Sequence, residues 1–409
     1  MSNVSSSNGL GKYPKLRFKG FSEPHIVRKI GAFAKCYAGA TPSTKIKSFW
    51  ENGTIPWLSS GEVNKKHIYF TDTFITQSGF DNCSTKMVPS GTVVMALAGQ
   101  GKTRGTVAIT NIDLCTNQSL AAIVTDDTVC DLCLLYYLET QYENLRAVSS
   151  GDGTRGGLNL QIIADYPVCL PSVDEQIKIA DFFAALDRKI DKQRTLIDSL
   201  KKYKRGVIYE LFVNPDSQFR VEMANIPMTQ LVTEYRNRST EGLRVCSVAV
   251  NKGVVDQIEH LGRSFAASDT SHYGRVKFGD VVYTKSPTGD FPFGIVKQSK
   301  LKEDVAVSPL YGVYTPVSYA TGNLIHAYFE QYQYANNYIC TLAQKGAKNT
   351  INITNQRFLE KGIRFPVNEC DREYFSAMLD KLTEKAVAAE KMLDFLLAQK
   401  RTLLAKIFI

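Results

Sequence analysis

Gly101-Lys102-Thr103, closing the stretch ALAGQGKTRG at residues 96–105, has the residue types that hold phosphate. In a P-loop a strand ends, glycine-rich backbone turns its N–H groups toward phosphates, a lysine neutralises charge, and a helix starts at once. The strand half is present in Gly91-Thr92-Val93-Val94-Met95, although Ala96 stands where the motif has its first glycine. The helix half is missing, because Gly105-Thr106-Val107-Ala108-Ile109-Thr110 has the β-branched pattern of a second strand. The stretch is therefore expected to be a hairpin with a basic tip. Such a tip is either a solvated loop or a loop that touches the phosphates of something larger.

A second constellation is Cys130-x-x-Cys133 in VCDLCLLYYLETQY. A structural zinc site needs a further pair of ligands. His25, His67, His260, His272 and His326 do not cluster near it in sequence, so both cysteines read as small core residues of a helix and no metal is expected. Nine scattered cysteines, an odd number, suit free thiols in a reducing cytoplasm. The first residues, MSNVSSSNGLGKYPKLRFKG, lack the apolar core of a secretory signal and read as a flexible lead-in. No apolar run approaches the ~18 residues that span a bilayer. With 49 basic and 40 acidic residues the chain carries a net charge of +9, which permits a nucleic-acid partner without requiring one.

The elements that must carry these residues are written twice. From Val173 a long helical segment places Ile179, Phe183, Leu186, Ile190, Ile197, Leu200, Val207 and Leu211 at alternating steps of four and three, with Gln193 and Lys204 in the skipped places. A second segment, from Asp371, repeats the seam with Phe375, Leu379, Leu382, Ala386, Ala389, Leu393, Leu396, Leu403 and Ile407, interrupted at Lys400. Every position lies 196 residues after its counterpart, including the polar interruption. Upstream, Gly91-Thr92-Val93-Val94 matches Gly279-Asp280-Val281-Val282, and Val63-Asn64-Lys65 matches Val250-Asn251-Lys252. LCLLYYLETQYENL matches GNLIHAYFEQYQYA, and Pro171 matches Pro366. Strand-like segments (PWLSS, HIYF, TVVMALAG, GTVAIT, SLAAIVT) precede a helix over roughly 130–146. In the second half VVYTKS, FGIV and SPLYGVYTPV precede a helix near 323–337.

The expected class is therefore α+β: two similar mixed α/β domains, residues 1–172 and 214–370, each followed by a spacer helix, 173–213 and 371–409. A helix of about 40 residues is roughly 60 Å long. For the second helix to bury its seam against the first it must run back along it. An antiparallel coiled-coil pair with pseudo-two-fold symmetry and a similar reader at each end is expected, which suits a rod-like partner.

Basic or amide-bearing loops recur at matching places. In the first half they are Gln100, Lys102, Thr103 and Arg104, then Thr154, Arg155, Asn159 and Gln161. In the second they are Lys285, Ser286 and Thr288, then Lys345, Lys348, Asn349, Thr350 and Asn352. Lys and Arg neutralise phosphates, while Arg, Asn and Gln can bond base edges in pairs. Each residue alone also reads as a solvated loop residue; the recurrence is what points to double-stranded DNA.

On these residues the chain resembles the specificity subunit of a type I restriction–modification system, over nearly its whole length. The carriers are YPKLRFKGF, the passage GTRGGLNLQIIADYPVCLPSVDEQIKIADFF, the helix end KKYKRGVIYELF, and the half-repeat plan. The resemblance implies a non-catalytic subunit whose two target-recognition domains each read one part of a split site. It also implies helices that dock two adenine methyltransferase (modification) subunits, with restriction subunits joining the core. S-adenosylmethionine, ATP and Mg would belong to those partners, and no cofactor is expected here. The second junction, PVNECDREYF, departs from the Asp174-Glu175-Gln176-Ile177 pattern, so docking there is expected to differ in detail. A methyltransferase motif of Asn/Asp-Pro-Pro-aromatic type is approached only by Asn214-Pro215-Asp216-Ser217, which reads better as a helix stop. The alternatives are a coiled-coil scaffold with no nucleic-acid role, and a P-loop NTPase.

Overall fold

The structure, a computed structural model, describes residues 12–99, 102–149, 157–235, 242–263, 270–285, 287–345 and 351–408. The chain divides into two compact units: Met1–Arg194 with Lys391–Ile409, and Thr195–Glu390. The boundary cuts through both long helices, so each unit holds one globular part and a portion of each helix. The helices run Val173–Phe212 and Glu369–Ile407, the second starting two residues before the expected Asp371.

The first unit contains a five-stranded sheet in the order Ala34–Ala38, Leu120–Thr125, Val93–Ala96, Val107–Thr110, His67–Ile68. The second contains a four-stranded sheet in the order Val232–Glu234, Gly312–Pro316, Val281–Tyr283, Val296–Gln298. The first four strands of the one and the four strands of the other follow the same order with antiparallel neighbours. Each unit is also closed by an antiparallel pair: Ile26–Lys29 with Pro167–Leu170, and Met223–Pro227 with Gly362–Pro366. The matched glycines explain part of this. Gly91 and Gly279 both take φ +88°, where a side chain is strained, and each turns the chain into the central hairpin. Gly91 N–H donates to Thr110 O at 2.7 Å, and Gly279 N–H to Ser299 O at 2.9 Å. The units differ elsewhere: the first adds a second, four-stranded sheet, the second three separate two-stranded pairs.

The helix expected over 130–146 is two helices, Asp131–Thr140 and Tyr142–Ala147, and that near 323–337 is Tyr319–Glu330 and Tyr332–Ile339. The breaks fall at Gln141 and Gln331, whose backbones leave the helical region at ψ 6° and ψ 110°. An apolar pattern running through the break had hidden it. Beyond the central helix, Asn214 Oδ1 accepts from Asp216 N–H at 3.1 Å, an Asx turn that ends the helix as expected for Asn-Pro.

Within the first unit the seam residues Ile179, Phe183 and Ile190 are buried, and Leu186 is half-buried. Across from them Leu396 is buried, and Leu393 and Leu403 are half-buried. Within the second unit Ile197, Leu379 and Leu382 are buried and Leu200 half-buried. In both units the paired helix segments run antiparallel. Leu16 N–H donates to Lys406 O while neighbouring Arg17 holds Glu175, tying the last turn of one helix to the first turn of the other. In the second unit Lys201 meets Glu390 at 2.7 Å, and Phe219, just past the central helix, packs on Phe375.

Candidate nucleic-acid interface

In the first unit Val93–Ala96 and Val107–Thr110 pair antiparallel, with Met95 opposite Val107 and Val93 opposite Ile109. A strand, not a helix, follows the tip, so the P-loop geometry is not formed. Gly99 sits at φ +140°, and a Cβ there would lie 2.9 Å from the Cβ of Thr103, so the tip closes on glycine. The tip is held from below. Tyr142 Oη donates to Lys102 O at 2.8 Å, and Thr106 Oγ1 donates to the same oxygen at 2.9 Å. That fixes the backbone while the Lys102 side chain stays exposed; Arg104 is half-buried.

The second predicted segment of this unit joins the hairpin base. Leu158 N–H donates to Leu97 O at 2.9 Å, so Asn159 follows directly on the strand that leads to the tip. Asn159 caps the helix Leu160–Asp165, its Oδ1 accepting from Ile162 N–H at 2.8 Å. Asn159 thus has a structural task, and the DNA role expected of it is limited to its remaining amide donors. Gln100, Thr154 and Arg155 lie outside the described residues.

The second unit repeats the arrangement with different residues. Val281–Tyr283 and Val296–Gln298 form the hairpin, and Tyr283 Oη donates to Phe293 O at 2.7 Å across its loop. Lys285 begins the loop at φ +57°; burial lowers the pKa of its ammonium, opposed by Glu234. Asn355 Nδ2 donates to the same Glu234 at 3.0 Å, so the hairpin loop and the segment after 350 converge on one carboxylate. Gln344–Lys345 pairs antiparallel with Ile351–Asn352. Thr354 caps Asn355–Phe358 through Arg357 N–H at 3.1 Å, the task that Asn159 has in the first unit. Ser286, Lys348, Asn349 and Thr350 lie outside the described residues. Thr288 is half-buried and pairs with Phe291 through backbone bonds.

Sequence reasoning missed the joint between each globular part and its helices. The polar interruption in each seam is that joint. In the first unit Lys400 Nζ lies 2.6 Å from Asp187 Oδ1 and 3.7 Å from Glu139 Oε2, with Lys66 completing the cluster. In the second, Lys204 Nζ lies 2.9 Å from Glu330 Oε2, with Lys297 and His326 beside it. Burial would raise the Asp187 carboxyl, but Lys66 and Lys400 outweigh it and hold the group below its ordinary value. Glu330 is likewise held well below its ordinary value against the pull of burial, first by His326 and then by Lys297 and Lys204. The signal was available: Glu139 and Glu330 end matched helices, and Lys204 and Lys400 share a register.

The Asp174-Glu175-Gln176-Ile177 passage also has an internal role. Arg17 grips Glu175 with two bonds, 3.0 Å and 2.7 Å, and the glutamate is buried. Gln176 Nε2 donates to Pro171 O at 2.9 Å, and its Oε1 accepts from Cys130 N–H. At the second junction Arg372 replaces the glutamine and donates to Pro366 O at 2.8 Å. The contact survives the change of sequence. Cys130 therefore sits at a helix N-terminus and Cys133 is buried in the core, and among the described residues no cluster of metal-ligating side chains occurs. Among the same residues no helix is long and apolar enough to cross a membrane.

Residues 23–202 match a family model described as the type I restriction modification DNA specificity domain. Over 193 residues the chain is 32% identical to the type I restriction enzyme MjaIX specificity subunit of Methanocaldococcus jannaschii, covering 46% of this chain and 43% of that protein. It is 22% identical over 191 residues to the EcoR124I/EcoR124II specificity subunit of Escherichia coli, covering 46% of each. The chain spans about half the length of the curated relatives it matches. The crystal structure of a type I restriction-modification S subunit from M. genitalium aligns with a TM-score of 0.65 at 13% identity, over 97% of this chain and 99% of that one. The fold is thus that of an S subunit. The specificity-domain match falls in the first half of the chain, and the likeness of fold extends over nearly all of it.

Proposed function

We propose that the chain is the DNA-reading, non-catalytic subunit of a type I restriction–modification complex. Each globular part reads one half of a split DNA site through its hairpin loop and the segment beside it, and the long helices set the gap. The observation that carries this reading is the repetition, in both units, of one strand order with a lysine-bearing hairpin loop at the same place. Exposed tips on buried strands suit side chains that reach into a groove while the sheet stays rigid. Lys102 and Lys285, with Thr103, Arg104 and the loop residues beyond the described segments, are the proposed contacts.

The helices also present large apolar side chains to solvent: Ile177, Phe182, Tyr203, Tyr374 and Phe395 are each more than a third exposed. Such faces suit two methyltransferase subunits docking on the helices, with restriction subunits joining in turn, in the cytoplasm. S-adenosylmethionine, ATP and Mg belong to those partners in this reading. The test is methylome mapping in cells carrying this chain with its modification subunit. A two-part adenine-methylated motif is expected. Inserting four residues into Val173–Phe212 should alter the tolerated gap and leave the half-sites unchanged. A continuous motif, or altered half-sites, would refute the proposal.

A further inference from the structure

The two joints are built alike but do not carry the same charge. In the first unit two ammoniums, Lys66 and Lys400, face two carboxylates, Glu139 and Asp187. In the second, Lys204 at 2.9 Å and Lys297 at 3.1 Å share the single carboxylate of Glu330. Lys300, close by, has its own acid, Asp380, at 3.0 Å. The place of Asp187 in the helix register, 196 residues on, belongs to Thr383. Lys297 is only 5% exposed, so an uncompensated charge there is costly. A cavity of about 160 Å³ lies at this point, lined by the ammoniums of Lys204, Lys252, Lys297 and Lys300 against the two carboxylates of Glu330 and Asp380, with Gln298, His326 and Thr383 beside them. Gln298 is 1% exposed, and its Oε1 has no hydrogen-bond donor among the described residues.

We propose that this cavity binds a small, singly charged oxyanion that still carries a proton, of the dihydrogen-phosphate or bicarbonate class. It supplies in the second unit the charge that the Asp187 carboxylate supplies in the first. Its oxygens accept from the lysine ammoniums, which have only donors to offer, and its O–H meets the acceptor of Gln298. The ion acts as a removable clasp between the helix Tyr319–Glu330 and the long helices that carry Lys204 and Thr383. The site is separate from the DNA-reading loops and does not depend on that assignment.

Inorganic phosphate is the probe, titrated into the full chain at ionic strength held constant with chloride. Melting of the wild-type chain should rise in a saturable way, by about 2–4 °C at ten times Kd. Thr383→Asp restores the missing carboxylate, so it should melt higher without phosphate and lose the saturable response. Broadening of the phosphate ³¹P resonance reads binding directly, and Lys297→Met should remove it. Absence of saturable broadening by the wild-type chain, or a Thr383→Asp chain that responds as the wild type does, overturns the proposal. Duplex DNA should leave the broadening in place; displacement by DNA would overturn the free-ion assignment in favour of a backbone phosphate.

Discussion

His326 should make the second unit sensitive to mild acid. Its Nε2 lies 3.2 Å from Lys297 Nζ and 3.1 Å from Glu330 Oε1, and its side chain is 15% exposed. With the ring neutral, Nε2 either accepts from the Lys297 ammonium or, in the other tautomer, donates to Glu330. Burial, countered in part by Glu330 and reinforced by Lys297 and Lys204, brings the imidazole pKa down from 6.5 to about 4. The unfolded chain then binds a proton that the folded chain refuses. Stability is fully present above the unfolded value and falls as the pH drops from there toward the folded value. For one group with these values, the loss between about pH 7.5 and about pH 5 is at most about 2 kcal/mol. Residual solvent access can only reduce it. Urea melts across this range are the assay, followed by amide exchange in residues 195–390. Tryptophan fluorescence would not serve, because Trp50 and Trp57 both lie in the first unit. His326→Gln keeps a hydrogen-bonding side chain and removes the titration, so its stability should be nearly flat over the same range. Equal acid slopes in the two proteins would refute the reasoning.

Other outcomes follow from the same contacts. Arg17→Ala strands the buried Glu175 carboxylate and should cost the first unit about 3–5 kcal/mol, read as a lowered urea midpoint in tryptophan fluorescence. Gly91→Ala and Gly279→Ala each force a side chain into φ +88° and should each destabilise their own unit by about 1–2 kcal/mol, seen in calorimetry as two separately shifted transitions. Lys102→Ala and Lys285→Ala should each weaken reading of one half-site alone, by about 1–3 kcal/mol if the lysine meets a base. Competition with half-site variants measures this, and uniform loss over all sequences would mark a phosphate contact.

Much of this architecture was legible in the sequence because the repeat samples it twice. The seam at steps of four and three, with Lys204 and Lys400 in one register, announced paired helices. Gly91 and Gly279 announced equivalent turns, and both take the same positive φ. The loop candidates were legible only as a class. A polar residue in a loop has no periodicity to betray its neighbour, so nothing in the sequence showed that Asn159, expected as a DNA contact, also accepts from Ile162 N–H as a helix cap. The breaks at Gln141 and Gln331 escaped for a related reason, since apolar spacing persists across them.

By itself, then, the sequence determined the local periodicities: which residues turn inward on a strand or helix, where glycine must sit, and that the plan occurs twice. Those depend on near neighbours along the chain. Tertiary structure alone decided which charges meet. Lys400 finds Asp187 across 213 residues and Lys204 finds Glu330, whereas Thr383 leaves the second joint one carboxylate short. Burial sets the cost of such charges, and burial comes into being only when distant segments pack.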